Sequence, residues 1–363
     1  MNSDTRYRYI DFLRGVAILM VIATHIKGVA PQCSGIMNAV LSFGRMGVQL
    51  FFVVSACTLL FSWVRAQKRG PQLPGFWIRR YFRIAPMYYV GIAVYCASAA
   101  WKHYIRTGVI QWPEQYALPS FLSNLFLVHS FYPAGNNNVV PGGWSIATEF
   151  LFYLIFPALA VLMTSTARKT WSTCFIAYGI VLITIHALLT HRFDFKMELG
   201  DFWFHSLLNQ LPVFLLGLLA ASLLLANQSI KPWILTLSFA IFMLLSLAIW
   251  NHRHSIAMSI LPTCVGGAFA CMTLFFARLN DRTFDGALGP VCTIGKASYS
   301  MYLWHFVVID VLKASLPEVM LSWKDYSALV FYVLTVAITL LAARLSVRHV
   351  EAWGIRTGRK LCS

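Results

Sequence analysis

Charge is scarce in this chain. Only 12% of its 363 residues are Asp, Glu, Lys or Arg, about half the share of an ordinary soluble domain. Acids are the scarcest of all, 13 against 29 Lys and Arg, for a net charge of +16. Paired cysteines are missing too. Cys33, Cys57, Cys96, Cys174, Cys264, Cys271, Cys292 and Cys362 are scattered, mostly within apolar runs, and none forms a C-x-x-C pair. That argues against a disulfide framework and a zinc site, and the thiols read as small apolar packing residues. In a soluble protein the positive charge would suggest nucleic acid, but there is no basic-aromatic module and no zinc-finger spacing. No nucleic-acid partner and no metal are expected. Internal repeats and low-complexity segments are absent as well.

What fills the chain instead is apolar: 58% of residues are hydrophobic, gathered in long blocks. Such blocks point to lipid as the solvent. At ~20 residues per crossing they predict an all-α integral membrane bundle of about ten spans. These fall near 9–29, 46–64, 84–101, 144–164, 172–190, 204–226, 233–250, 256–277, 298–314 and 326–345. Asp11 and Arg14 interrupt the first block and no A-x-A site follows, so it reads as an uncleaved span rather than a signal peptide. With the N-terminus inside, about two thirds of the 29 Lys and Arg fall on the cytoplasmic side. That bias predicts both termini in the cytoplasm and an even number of spans. Residues 1–363 read as one membrane-embedded domain with short connections and no appended soluble domain. The segment Pro119 to Pro133 is apolar but too short to cross, and should be an interfacial or re-entrant piece on the outer side.

Ionisable residues at membrane depth are costly, so each is a candidate for function. The first span contains Y-R-Y-I-D-F-L-R-G-V-A-I-L-M-V-I-A-T-H. Arg14 and His25 are eleven residues apart, which returns to within about 20° of one helix face and separates them by ~16 Å. Asp11 lies on that face and can pair with Arg14. Snorkelling of Arg14 and an interfacial His25 would serve equally well on composition alone. In F-W-I-R-R-Y-F-R-I-A-P, Arg80 and Arg83 share a face entering the membrane. Such a pair suits planar phosphate recognition, although positive-inside anchoring accounts for most clusters of this kind. In P-G-G-W-S-I-A-T-E-F-L-F-Y, Glu149 shares a face with Ser145 and enters an apolar run, where a carboxylate needs a partner; it could otherwise be a simple helix-start acid. In A-S-Y-S-M-Y-L-W-H-F, Ser298, Tyr302 and His305 follow i, i+4, i+7 spacing and line one face, with interhelical hydrogen bonding as the plainer alternative. Arg45 is assigned to the outer mouth; His129 and Asp310 have no assigned role.

Five segments, in order, carry a resemblance. D-F-L-R-G-V-A-I-L-M-V-I-A-T-H resembles the opening signature of the acyltransferase-3 family of bacterial membrane proteins, with its Arg-x10-His pattern. G-V-Q-L-F-F-V-V-S-A resembles the family's second-span block and R-R-Y-F-R-I-A-P its R-x-x-R loop. G-W-S-I-A-T-E-F-L-F-Y resembles its Trp-Ser…Glu block and S-Y-S-M-Y-L-W-H its late Tyr…His block. Gln49 stands where an acid is common, Ala56 replaces a usual glycine, and the second acid often seen after Glu149 is lacking. The resemblance implies a bundle of roughly ten helices in the cell inner membrane. It also implies O-acyl transfer, acetyl first among the acyl groups, from cytoplasmic acetyl-CoA to a hydroxyl of a surface carbohydrate or lipid-linked saccharide of O-antigen type. In that reading Arg14, Arg80 and Arg83 hold the CoA donor. His25 is general base or acyl-carrying nucleophile, and Glu149 orients or charge-balances its imidazole. Arg45, Ser145, Tyr302 and His305 line the acceptor side. Membrane lipid is a further partner, while the oligomeric state and acceptor stay open. Two rival readings remain: a succinyl transferase or one acting on a small molecule, and a transporter or flippase running a proton relay through the buried Arg, His and Glu.

Overall fold

A computed structural model describes residues 7–27, 33–67, 73–109, 111–164, 202–252, 255–315 and 324–362. They form helices, with no strand among the described residues. Inside lipid only a helix or a closed barrel satisfies every backbone N–H and C=O, and the apolar blocks here follow the first solution. In chain order the helices are α1 (Arg8–Ile26), α2 (Gly35–Phe43), α3 (Gly47–Gln67), α4 (Leu73–Thr107), α5 (Leu118–Leu125), α6 (Gly143–Thr164) and α7 (Leu207–Leu225). After these come α8 (Pro232–His252), α9 (Ser255–Phe276), α10 (Asp281–Asp285), α11 (Gly289–Lys296), α12 (Ser298–Ser315), α13 (Lys324–Ser346) and α14 (Ala352–Lys360). A five-residue π turn, Val347–Glu351, joins the last two.

Eight helical stretches among the described residues are long and apolar enough to cross a membrane. Most match the spans read from the sequence within a few residues; the exceptions are the second, which runs on from α2 at Gly35, the last, which continues through the π turn to Lys360, and α4, which begins at Leu73 because the arginine-rich loop before the expected span is itself helical. The expected span 172–190 lies outside the described residues. The expected span 298–314 is a helix, α12, but it is too polar to stand among the eight. Its polarity has a place to go: Ser298, Ser300, Tyr302 and His305 are all buried inside the bundle. On α8, by contrast, Trp233, Leu237, Ile241, Leu244 and Leu245 are exposed, a contiguous apolar face of the kind that meets lipid.

The first helix sits at the centre, against α2, α3, α11, α12 and α13. Its crossing with α11 is backbone to backbone: a Cβ on Gly295 would collide with the carbonyl oxygen of Asp11. Small residues let membrane helices approach this closely, where dispersion rather than water exclusion holds them together. In α4, Pro86 cannot donate to the carbonyl of Phe82, four residues earlier. α14 lies across that break, with Gly354 facing the Phe82 carbonyl oxygen and Gly358 the Phe82 side chain. Nearby, the Tyr299 hydroxyl donates to the Ile84 carbonyl at 2.8 Å. The turn that carries Arg79, Arg80 and Arg83 is thus fixed from outside by α14 and from inside by α12.

The short apolar segment after α4 behaves as its length requires. It forms α5 and two 3-10 turns, His129–Phe131 and Pro133–Gly135. Most of its buried polar groups are met by protein, His129 Nδ1 being an exception. Tyr88 donates to Asn124 Oδ1 at 2.6 Å, Asn124 donates to the carbonyls of Ser120 and Gly135, and Tyr89 donates to the Leu125 carbonyl. His129, fully buried, makes contact through Nε2 with the Gly143 carbonyl at 2.9 Å and stacks on Tyr88. Irregular backbone at this depth survives only with such partners.

Candidate active site

Two cavities open on the Arg14 end of the bundle. The larger, about 420 Å³, lies between α1, α3, α4, α11 and the π turn; its charged wall is Arg14, Arg65, Arg83 and Lys296, with Asp11 and Glu351 opposing them. The smaller, about 80 Å³, has room for a two-carbon acyl group or a few waters. Glu149, Ser145, Ser55 and Tyr302 line it. Arg14 and Arg83 belong to both walls. Two guanidiniums therefore stand where the spacious, anion-attracting chamber narrows into the small one.

Glu149 is held by its neighbours. Its Oε1 accepts hydrogen bonds from the hydroxyls of Ser55 and, at 2.7 Å, Tyr153. Arg14 and Arg83 are close enough to act on it or its neighbours electrostatically. This corrects the expected pairing of Glu149 with His25. The acid sits nearly two turns into α6, level with Arg14, and finds its hydroxyl donors and cations there, whereas His25 lies at the far end of α1. Arg80 also departs from expectation. It lines neither cavity. It donates to Ser62 Oγ at 3.0 Å and lies over the rings of Phe76 and Tyr153, at 5.6 and 5.9 Å. Of the R-x-x-R pair only Arg83 faces the chambers, while Arg80 ties α3, α4 and α6 together. The expected common face of Ser298, Tyr302 and His305 does form, as does the proximity of Asp11 to Arg14.

Beyond the small cavity, Tyr302 links two environments. Its hydroxyl accepts from Ser145 at 2.8 Å and donates to the Gly142 carbonyl at 2.9 Å. Gly142 has φ +79°, and a Cβ there would stand 2.9 Å from the Tyr302 hydroxyl; only glycine fits both demands. The carbonyl of the same Tyr302 is bonded to Nδ1 of His305 at 2.7 Å. His305 is fully buried, and its ring centroid lies 5.1 Å from that of His25. Phe306 packs on both imidazoles, at 4.2 and 4.1 Å. Arg14 and His25 on α1 and Ser298 and His305 on α12 thus run in the same direction, from the cavities to the histidine pair. Arg45 is exposed at the His25 end, over the ring of Trp250 at 5.1 Å, and His205 stacks on Trp144 at 4.1 Å. Asp310 is spoken for, since it accepts from Lys102 at 2.6 Å.

Four residues near these sites carry no signal in the sequence that marks them. Arg65 and Lys296 read as topological anchors, yet both line the large cavity. Glu351 lay past the last expected span, where nothing in its neighbourhood marks it. The π turn turns it inward, and its Oε1 accepts from the Ser300 backbone N–H at 3.1 Å and from the Ser300 hydroxyl. Single π turns are frequent at functional sites because they re-aim one side chain without ending the helix. His205 carried no motif signal and is found only by its ring contacts.

A family model described as an acyltransferase domain matches residues 7–347. The chain is 26% identical to the peptidoglycan O-acetyltransferase OatA of Listeria monocytogenes, over 97% of this chain and 57% of that protein. It is 24% identical to the O-acetyltransferase OatA of Staphylococcus aureus strain NCTC 8325, over 94% of this chain and 56% of that protein. The chain spans somewhat more than half the length of these relatives. The matched region contains Arg14 and Arg83 of the shared wall, Glu149, and both histidines of the pair. By a match that takes in nearly every residue of the bundle, the chain belongs to the acyltransferase-3 family.

Proposed function

We propose that this protein transfers an acyl group, acetyl in the simplest case, from acyl-CoA to a hydroxyl of a surface carbohydrate. The observation that carries the reading is the double membership of Arg14 and Arg83 in the two cavity walls. A ligand with a polyanionic head and a long neutral arm fits that shape. The phosphates meet Arg83, Arg65 and Lys296 in the large chamber, and Arg14 meets the donor where it narrows. The arm runs past Tyr302 toward His25, ~16 Å along α1 from Arg14. His25 takes the proton of the acceptor hydroxyl as it attacks the thioester carbon, and the C–S bond breaks. The proton then leaves with the CoA thiolate as free thiol. Positioned general-base catalysis of this kind supplies about 10²–10⁴-fold. The Lys and Arg bias supports the Arg14 end as the cytoplasmic one, where acyl-CoA is made, in the inner membrane. A glycan of peptidoglycan type is the first acceptor to try, given the name of the Listeria relative, followed by lipid-linked saccharides.

The test uses the full chain in lipid nanodiscs with acetyl-CoA labelled in its acetyl group. Label should appear on a glycan in proportion to thiol released, and mass spectrometry of surface glycans from cells with and without the gene should differ by acetyl units. Passage of ligand across the bilayer with no covalent change would replace the enzyme with a transporter.

A further inference from the structure

The His305 imidazole has one nitrogen accounted for and one not. A carbonyl oxygen can only accept, so the 2.7 Å contact between Nδ1 and the Tyr302 carbonyl makes Nδ1 the protonated nitrogen. Nε2 of the neutral ring is then a bare acceptor. It is buried and has no hydrogen-bond partner. An unmet buried acceptor costs about 1–3 kcal/mol, so a donor belongs beside it in the working protein. The His25 ring packs beside that of His305, 5.1 Å away between centroids at an interplanar angle of 45°, a spacing that allows a turn of the His25 ring to bring an N–H within reach of Nε2. Phe306 closes the same space with apolar surface and offers no donor.

Resting on the acyl-transfer reading above, we infer that His305 is the positioning residue for His25: its Nε2 accepts the His25 N–H and so fixes which His25 nitrogen carries the lone pair that faces the acceptor. The chain of contacts is Tyr302 carbonyl, His305, His25, acceptor hydroxyl. When His25 takes the hydroxyl proton, the resulting imidazolium keeps its second N–H on His305 Nε2, and the acyl group passes from sulfur to oxygen. The proton held at His25 then goes to the departing thiolate, which restores the starting state. The arrangement performs with a neutral ring what a buried carboxylate does behind the histidine of a Ser-His-Asp triad, namely orientation and choice of tautomer. Tyr302 gives this pair a physical tie to the donor side, since its hydroxyl lines the small cavity while its carbonyl holds His305.

The experiment compares the full chain with His305→Phe, which keeps a flat ring and cannot accept, and with His305→Gln, whose amide oxygen can. Kinetics with acetyl-CoA should show kcat at least about tenfold lower in His305→Phe, with KM for acetyl-CoA within about twofold. His305→Gln should keep more of kcat than His305→Phe. In parallel, histidine is labelled with ¹⁵N, and the His25 ring signals are assigned among the 10 histidines by their loss in His25→Gln. In wild type they should report one tautomer, and in His305→Phe a mixture. Unchanged kcat in His305→Phe, or unchanged His25 signals in both variants, overturns the inference. Wild-type protein that transfers no acyl group would defeat the acyl-transfer reading, while the ¹⁵N signals would still decide the pairing. If His305→Phe fails to fold, His305→Leu, which is smaller and likewise cannot accept an N–H, is read by the same kcat and ¹⁵N measurements and carries the same decision.

Discussion

The two ends of α1 are built from opposite materials. Around Arg14 the walls carry four cations and three carboxylates, Asp11, Glu149 and Glu351, with hydroxyls from Ser55 and Tyr302, and two cavities lie open. Around His25 the neighbours are rings: His305, Phe306, and beyond them the Trp144–His205 stack and Trp250 under Arg45. No carboxylate takes part in those contacts. One end is suited to seize an anion, the other to hold a neutral imidazole against a polar ring. The difference teaches that conspicuous charge gathers where the cavities open, whereas the imidazole pair sits in a tightly packed place with few charges, the kind of setting the proposed proton transfer calls for.

The largest effect should come from the quieter end. His25→Ala should reduce acyl transfer by about a thousandfold or more, within the range of positioned general bases, yet leave acetyl-CoA affinity near wild type. His25→Gln should fail as well, because an amide exchanges no proton near neutral pH. Binding by titration calorimetry and turnover by thiol release separate the two quantities. If either variant loses donor affinity along with turnover, the ends are not functionally distinct.

Within the charged end, the structure separates Arg83 from Arg80, which sequence spacing had joined. Losing one charge-assisted phosphate contact costs about 1.5–3 kcal/mol, or about ten- to a hundredfold in affinity. Arg83→Ala should show that loss. Arg80→Ala should change affinity much less and lower thermal stability instead, because Arg80 bridges Ser62, Phe76 and Tyr153. Equal losses of affinity in the two variants would restore the paired role.

What the sequence could and could not reveal follows from local against tertiary geometry. Helical periodicity is local, so the common face of Ser298, Tyr302 and His305 was readable, as was the direction of Arg14 and His25. Long apolar blocks made the spans readable within a few residues. The partners of each residue are tertiary. Glu149 is a candidate partner of His25 from the sequence, but axial depth decides contact, and Glu149 enters α6 at the depth of Arg14. Arg80 and Arg83 share a face by spacing, yet α3 and α6 take one and the cavity takes the other. Glu351 was hidden because its inward turn depends on a π turn, and one extra residue in a helical turn leaves no mark in composition.

A further effect sharpens the link between the ends. Gly142→Ala puts a side chain at φ +79° and against the Tyr302 hydroxyl, a backbone cost of about 1–2 kcal/mol. The protein should lose a few degrees of thermal stability, and kcat should fall about tenfold as Tyr302 shifts. Ala at Ser145 should do less, since Tyr302 keeps its bond to the Gly142 carbonyl. A Gly142→Ala enzyme with unaltered kcat would free the Tyr302 hydroxyl from any part in joining the ends.

The smallest effect expected is a gain. Glu351 places a carboxylate on the wall that also holds Arg14 and Arg83, and both arginines act on it electrostatically. With no donor bound it offsets their repulsion, and when phosphates arrive it competes with them. Glu351→Gln keeps the side chain's shape, and its amide oxygen can still accept from the Ser300 N–H, but the negative charge is gone. Glu351 is buried and its charge is already shared with the Ser300 donors, so removing it changes the binding of an anion several ångströms away by about 0.5–1 kcal/mol. Affinity for acetyl-CoA should rise about two- to fivefold, with the larger gain at low salt. Free CoA shares the phosphates and should gain equally, so product release slows and kcat falls slightly while kcat/KM is kept. Titration calorimetry at two salt concentrations, with acetyl-CoA and with CoA, measures this. Ser300→Ala supplies the contrast, since it removes one hydroxyl donor and leaves the charge in place. Weaker binding in Glu351→Gln, together with a loss of stability equal to that of Ser300→Ala, would mean that the carboxylate serves only to anchor the π turn on α12. The charged end would then hold its anion with cations alone.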